Sequence, residues 1–217
     1  MIIRAISGLD RLRITDETGE ACYYGCNQEW YRTKWQRLSG CGPSTFANIL
    51  RYLDTKNDCA PTSLSRKRWE GFMEECWRFV TPTLKGVNTT ELFRDGVLAY
   101  VRDKGLTLRT EALDIPKKAA FRPAFPEVLR FLEEALEKDT PVAFLNLHNG
   151  EEKRLDAWHW VTLISLEYEA DGSAALAKIL DESIVKEVDL RLWYDTTTLG
   201  GGFVRFLEDS PKPEELS

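Results

Sequence analysis

Apolar residues recur at Phe46, Ile49, Leu50 and Leu53, the i, i+3, i+4, i+7 spacing of a helix with one buried face over about 42–54. Asn57, Asp58 and Pro61 mark its end. Leu64, Trp69, Phe72, Met73, Cys76, Trp77 and Val80 predict a second amphipathic helix over 63–79. Asn88-Thr89-Thr90-Glu91 opens a third, with Leu92, Phe93, Val97, Leu98, Tyr100 and Val101 inward and Gly105 at its end. A fourth covers 127–138, with Val128, Phe131, Leu132, Ala135 and Leu136 inward; Glu133, Glu134 and Glu137 read as its solvated face.

The strand pattern is concentrated at the two ends. Short alternating runs at 2–6 and 11–15 predict strands, and Asp16–Gly19 predicts a turn into a hairpin partner at 20–24. After Asp139 the pattern becomes strand-like: 141–147, then 158–166, then an Asp171-Gly172 turn and a return strand at 175–180. Residues 189–194 fit either a short helix or a strand, and 200–206 a last strand; 106–113 also alternates. Helices first and an antiparallel sheet after predict an α+β fold rather than an alternating α/β one. The expected layout is a single domain over 1–217. It has an N-terminal hairpin extension (1–27), a helical insert (60–138) that roofs a cleft, an antiparallel sheet (139–207) and a loose tail (208–217).

Composition narrows the class. A hydrophobic fraction of 43% with 7 Trp, 7 Tyr and 10 Phe supports a substantial core. A net charge of −6 argues against a nucleic-acid partner. No apolar run reaches the roughly 18–20 residues of a membrane span, and the N-terminus has no signal-peptide pattern. The 5 cysteines, odd in number and irregularly spaced, suit a reducing cytoplasm better than a disulfide framework. The Cys22/Cys26 pair lacks a second pair for structural zinc, so no metal and no cofactor is expected. Trp30 and Trp35 read as packing beneath a long loop rather than as stacking surfaces for a substrate.

The candidate chemistry lies at Ser39-Gly40-Cys41-Gly42-Pro43-Ser44-Thr45. Ser39 reads as a cap and Pro43 as a first-turn residue, so the Cys41 thiol sits at a helix N-terminus, where free N–H groups favour the thiolate. The flanking glycines read as room for a substrate. A cysteine nucleophile needs a base, and the chain has 2 histidines. His148 falls in a polar loop; His159 lies on the strongest strand and is the better-held base. A two-residue Asp171-Gly172 turn sets position 159 opposite 184. Asp181 then falls a few residues from His159, and one bulge brings the pair closer.

In order along the chain these features resemble the papain-like cysteine peptidases, closest to the bacterial branch of bacteriocin-processing (double-glycine leader) peptidases. The residues that carry the resemblance are Ser39–Thr45 with the helix after it, Thr140-Pro141-Val142, His159-Trp160-Val161-Thr162 and Ile179-Leu180-Asp181. The resemblance implies a papain-like fold whose helical part starts at the Cys41 helix. It also implies a peptide or protein substrate, cleaved at a peptide or isopeptide bond through a thioester. Cys41 is then the nucleophile, His159 the general base and acid, and Asp181 the imidazole orienter. It further implies an oxyanion glutamine shortly before the cysteine: Gln36 at five residues, with Gln28 as the other candidate. An acyltransferase or amidase on the same fold, or a catalytically silent binding domain, are the alternatives.

Overall fold

The computed structural model describes residues 1–16, 18–56 and 64–208. Glu17 of the expected turn, Asn57, Asp58 and Pro61 of the expected helix stop, Cys59 and the expected tail from Asp209 lie outside the described residues. The elements in order are β1 (Ile2–Ala5), β2 (Arg13–Thr15), β3 (Cys22–Tyr24), α1 (Lys34–Ser39), α2 (Cys41–Thr55), β4 (Leu64–Ser65), α3 (Arg66–Trp77) and α4 (Thr90–Lys104). Then come β5 (Leu108–Ile115), α5 (Phe125–Glu137), β6 (Val142–Asn146), β7 (His159–Tyr168), β8 (Ala175–Asp181), β9 (Ile184–Asp189), α6 (Leu190–Thr196) and β10 (Gly201–Glu208).

The main sheet runs β5-β10-β6-β7-β8-β9, every pair antiparallel. β7 is long enough to pair β6 at His159–Leu163 and β1 at Ser165–Tyr168. Thus β2 and β3 form the expected hairpin while β1 leaves it for the main sheet. β5 lies inside the region read as a helical insert, yet it is an edge of the same sheet, held along its length by β10. The ambiguous segment at 190–196 is a helix, capped by Asp189, whose side chain accepts from Leu192 N at 2.8 Å.

Alternation along β10 separates the two faces. Phe206 stacks on Phe46 of α2, so α2 packs on that side; Phe93 of α4 meets the same ring edge-on. Arg205 points the other way, over Phe131 of α5, and Phe203 packs on Trp193 of α6. The buried face of α2 follows its sequence pattern: Phe46, Ile49, Leu50 and Leu53 are all in the core.

The register of the β7–β8 hairpin changes partway. Tyr168 faces Ala175 and Ser165 faces Lys178, as a two-residue Asp171-Gly172 turn demands. Beyond an irregularity between Leu163 and Ser165, Leu163 faces Ile179 and Thr162 faces Leu180. Without that bulge Asp181 would face Thr162, on the opposite side of the pleat from His159. With it, the register continues to Val161, two positions from His159 and on the same side. A one-residue bulge therefore decides whether Asp181 and His159 can meet.

Asn48 ties three segments together. Its Oδ1 accepts from Cys26 N at 2.9 Å, and its Nδ2 donates to Thr162 Oγ1 at 3.1 Å. α2 is thereby pinned to β7 and to the loop before α1. Asn48→Ala leaves a buried backbone N–H and a buried hydroxyl without these partners. It is expected to lower the unfolding free energy by about 2 kcal/mol, read from the urea midpoint at unchanged slope.

Candidate active site

The polypeptide enters the site through α1. Thr33 and Gln36 form a reciprocal cap: Gln36 N donates to Thr33 Oγ1 at 3.2 Å and Thr33 N donates to Gln36 Oε1 at 3.1 Å. α1 ends at Ser39, and Gly40 joins it to α2 in a right-handed conformation (φ −82°, ψ 0°). Ser39 is not the cap of α2; its hydroxyl donates back to Trp35 O at 2.8 Å. Nor do the glycines leave space for a substrate. A Cβ on Gly40 would fall 2.6 Å from the Tyr31 ring, and one on Gly42 3.1 Å from Val87. They let protein pack closely around the turn. Cys41 is the first residue of α2, as the pattern predicted, and is half-buried.

His159 begins β7, and the residue before it, Trp158, has φ +57°. The expected strand start at 158 is therefore one residue early: the left-handed turn at Trp158 swings its indole out of the sheet. His159 Nε2 lies 2.7 Å from Asp181 Oδ1, leaving Nδ1 for the sulfur. Lys186 Nζ donates to the other carboxylate oxygen at 2.7 Å. The Asp181 side chain is 2% exposed.

The titration behaviour follows from these contacts. Burial pushes the Cys41 thiol up. The hydrogen bond and charge of His159, with backbone N–H groups of Trp160 and Gly42, more than offset it, and the thiol lies below its ordinary value. Burial works against the His159 imidazolium, but Asp181 and Cys41 bond it and push it up to about 10. Burial would raise the Asp181 carboxyl; His159 and Lys186 hold it below the usual carboxylate range. Cys26 is a useful contrast. Burial drives it up to about 12 although its thiol donates to Ser44 O at 3.2 Å. Cys41 has His159 beside it, whereas among the described residues no cation acts on Cys26.

Cys41 opens onto a cleft of about 370 Å³. α1 contributes Trp35 and Leu38, the loop between α3 and α4 contributes Leu84 and Val87, and Trp158 closes the side. Trp35 is 44% exposed, Leu38 69%, Leu84 95% and Trp158 57%. Trp35 is thus a wall of the cleft, not loop packing. Trp30 does pack, edge-on against Tyr23 with Arg66 over its ring.

Gln36 is not at the site. Its Oε1 belongs to the α1 cap and its Nε2 donates to Glu74 Oε2 at 2.7 Å. Gln28 is at the site, in a small recess lined with Cys41, His159 and Asp181. Its Oε1 is buried and accepts no hydrogen bond among the described residues. The resemblance implies a glutamine shortly before Cys41, and Gln36 is the nearer one, but the helix cap and Glu74 hold its side chain away. Lys186 carried no sequence signal, since an alternating strand lysine normally marks a solvated face. Among the described residues no cluster of side chains is placed to hold a metal ion, and no helix is long and apolar enough to cross a membrane.

No family model and no curated protein sequence matches this chain. Its structure is similar to the crystal structure of UfSP from C. elegans, with a TM-score of 0.50 at 13% sequence identity. The match covers 96% of this chain and 34% of that one, so this chain spans about a third of its neighbour's length. The fold is α+β and papain-like, with helices followed by an antiparallel sheet.

The four described cysteines are all free, which allows a direct comparison. Iodoacetamide is expected to label Cys41 with a midpoint below the ordinary thiol value of about pH 8.5. Exposed Cys22 is the comparison for access, and buried Cys26 and Cys76 should react slowest. His159→Ala should erase the Cys41 advantage, with each site read by mass spectrometry.

Proposed function

We propose that this chain is a cysteine peptidase that hydrolyses a peptide or isopeptide bond. The observation that carries the reading is His159, bonded to Asp181 on one side and to the helix-terminal thiol of Cys41 on the other, at the edge of an apolar cleft. Cys41 is the nucleophile, His159 the base and acid, and Asp181 the group that orients the imidazole. The narrower kinship with double-glycine-leader peptidases rests on the Cys-Gly-Pro and His-Trp-Val motifs and belongs to this proposal. So does a cytoplasmic setting, which the free thiols favour.

The steps follow from the geometry. The Cys41 thiolate attacks the carbonyl carbon and the C=O π electrons move to oxygen. The Gln28 side-chain amide and the Cys41 backbone N–H stabilise that oxyanion. The imidazolium of His159 gives its proton to the amine nitrogen as the C–N bond breaks, leaving a thioester on Cys41. Water then attacks the thioester with His159 as base; the C–S bond breaks, a carboxylic acid leaves and the thiol is restored. Asp181 keeps Nε2–H engaged so that Nδ1 exchanges the proton throughout.

A peptidyl-aminomethylcoumarin library, varied at the positions before the scissile bond, tests this. Wild type is expected to release coumarin and a free acid, and Cys41→Ala to release none. Gln28→Ala should lose about 10²–10³ in kcat, the scale of one oxyanion donor, while Gln36→Ala stays within about threefold of a fold-matched control. A Gln28→Ala enzyme as fast as wild type would remove Gln28 from the mechanism. Absence of turnover together with ordinary Cys41 labelling would overturn the peptidase reading.

A further inference from the structure

Asp181 has two cationic partners from two different strands, and the proposed mechanism uses one of them. The turn after β8 is Glu182-Ser183, both in the left-handed region (φ 50° and 69°), and it sets Asp181 opposite Ile184. Lys186 is two positions along β9 from that pair and on the same side of the pleat. His159 stands in the corresponding diagonal position on β7. The row His159–Asp181–Lys186 therefore crosses three adjacent strands, with each carboxylate oxygen 2.7 Å from one cation-bearing nitrogen.

We propose that Lys186 is a positioning residue that tempers the hold of Asp181 on the imidazolium and so lets His159 release its proton to the leaving amine. This rests on the reading of Cys41, His159 and Asp181 as the catalytic set. Lys186 acts through Asp181 and touches no reacting atom. Two physical effects coincide in it. Occupying Oδ2 holds the carboxylate so that Oδ1 stays on the imidazole. Its positive charge also offsets part of the carboxylate charge that stabilises imidazolium. A thiolate benefits from a strongly held imidazolium partner, but acyl transfer then needs that proton to leave. An acid held too far above the working pH donates poorly.

The charged and titratable surroundings are few. His159 faces Cys41 from α2 and Asp181 from β8, with neutral Asn146 opposite it on β6. Cys26, Gln28 and Glu182 line the same recess. Lys186 faces Asp181, Glu182 at 3.8 Å and, farther off, Asp156 from the loop before β7. The lysine is itself held: burial disfavours its charge, but the Asp181 bond raises it above its ordinary value. It is the second of the two cations bonded to Asp181, and its side chain is 22% exposed, so solvent screens it only in part.

The test reads the imidazole directly. The chain has 2 histidines, so imidazole nitrogen NMR is simple to assign. Cys41→Ala removes the thiolate and brings the His159 titration into an accessible range. In that background Lys186→Met is expected to raise the His159 midpoint by about one pH unit, the scale of one partly screened charge just beyond its hydrogen-bond partner. Lys186→Gln, which keeps a donor without the charge, should raise it similarly. Lys186→Arg should leave it near the Cys41→Ala value. A merely structural lysine would change the unfolding midpoint without moving the titration. An unchanged or lowered midpoint in both Lys186→Met and Lys186→Gln overturns the proposal, and either variant alone suffices if the other does not fold. Failure of the peptidase reading looks different: wild-type Cys41 would label no faster than Cys22, whatever the lysine variants do to His159.

Discussion

The seat of α2 on the main sheet is the contact on which everything else depends. It joins Cys41 to His159 across more than half of the chain, and it is built from a few large buried side chains. Phe46 stacks on Phe206, and Phe93 stacks on Trp160 behind it. The Trp160 indole donates to Val87 O at 2.6 Å, which anchors one wall of the cleft to the strand that carries His159. Full burial of each such ring is worth roughly 1.5–3 kcal/mol, so apolar packing holds the helix while polar bonds set its exact register. Asn48 is the polar element of that seat, and it also carries the loop that delivers Gln28.

Around that seat four ionisable side chains form a short hydrogen-bonded row. The Cys41 thiol, the His159 imidazole, the Asp181 carboxylate and the Lys186 ammonium follow one another from α2 through β7 and β8 to β9. A partly buried ion is tolerable only when its neighbour has the opposite sign, since burial otherwise drives the group neutral. Cys26 shows the alternative within the same region: among the described residues no cation acts on it, and burial drives it up to about 12. The row depends on the bulge in β7, because a regular hairpin would put Asp181 on the other side of the pleat from His159.

The cleft is made differently from the charge row. Its walls are Trp35 and Leu38 on α1, Leu84 on a connecting loop and Trp158 at a left-handed turn. These large apolar side chains remain exposed where their size would ordinarily favour burial. Cys41, His159 and Asp181 are held on α2 and the sheet, whereas the apolar walls of the cleft are borne on loops and a short helix.

Much was legible in the sequence because it was local. The i, i+3, i+4 pattern placed the helix over about 42–54 with Cys41 at its N-terminus, the Asp171-Gly172 pair placed the β7–β8 hairpin, and helices before strands placed the chain in the α+β class. The order Cys41, His159, Asp181 suggested the candidate set. What depended on a third partner was not legible. Gln36 was the nearer glutamine along the chain, but Thr33 and Glu74 hold its amide, and Gln28 occupies the recess instead. Ser39 bonds back into α1 rather than capping α2, and Trp35 lines the cleft rather than packing. β1 and β5 join the main sheet, which no local pattern announces. Periodicity reports which face of an element is apolar, because burial acts on each residue through its neighbours within a turn or two. Which hydrogen-bond partner a polar side chain finds, and whether a bulge turns Asp181 toward His159, depends on atoms brought together from distant segments, so only the tertiary structure decides it.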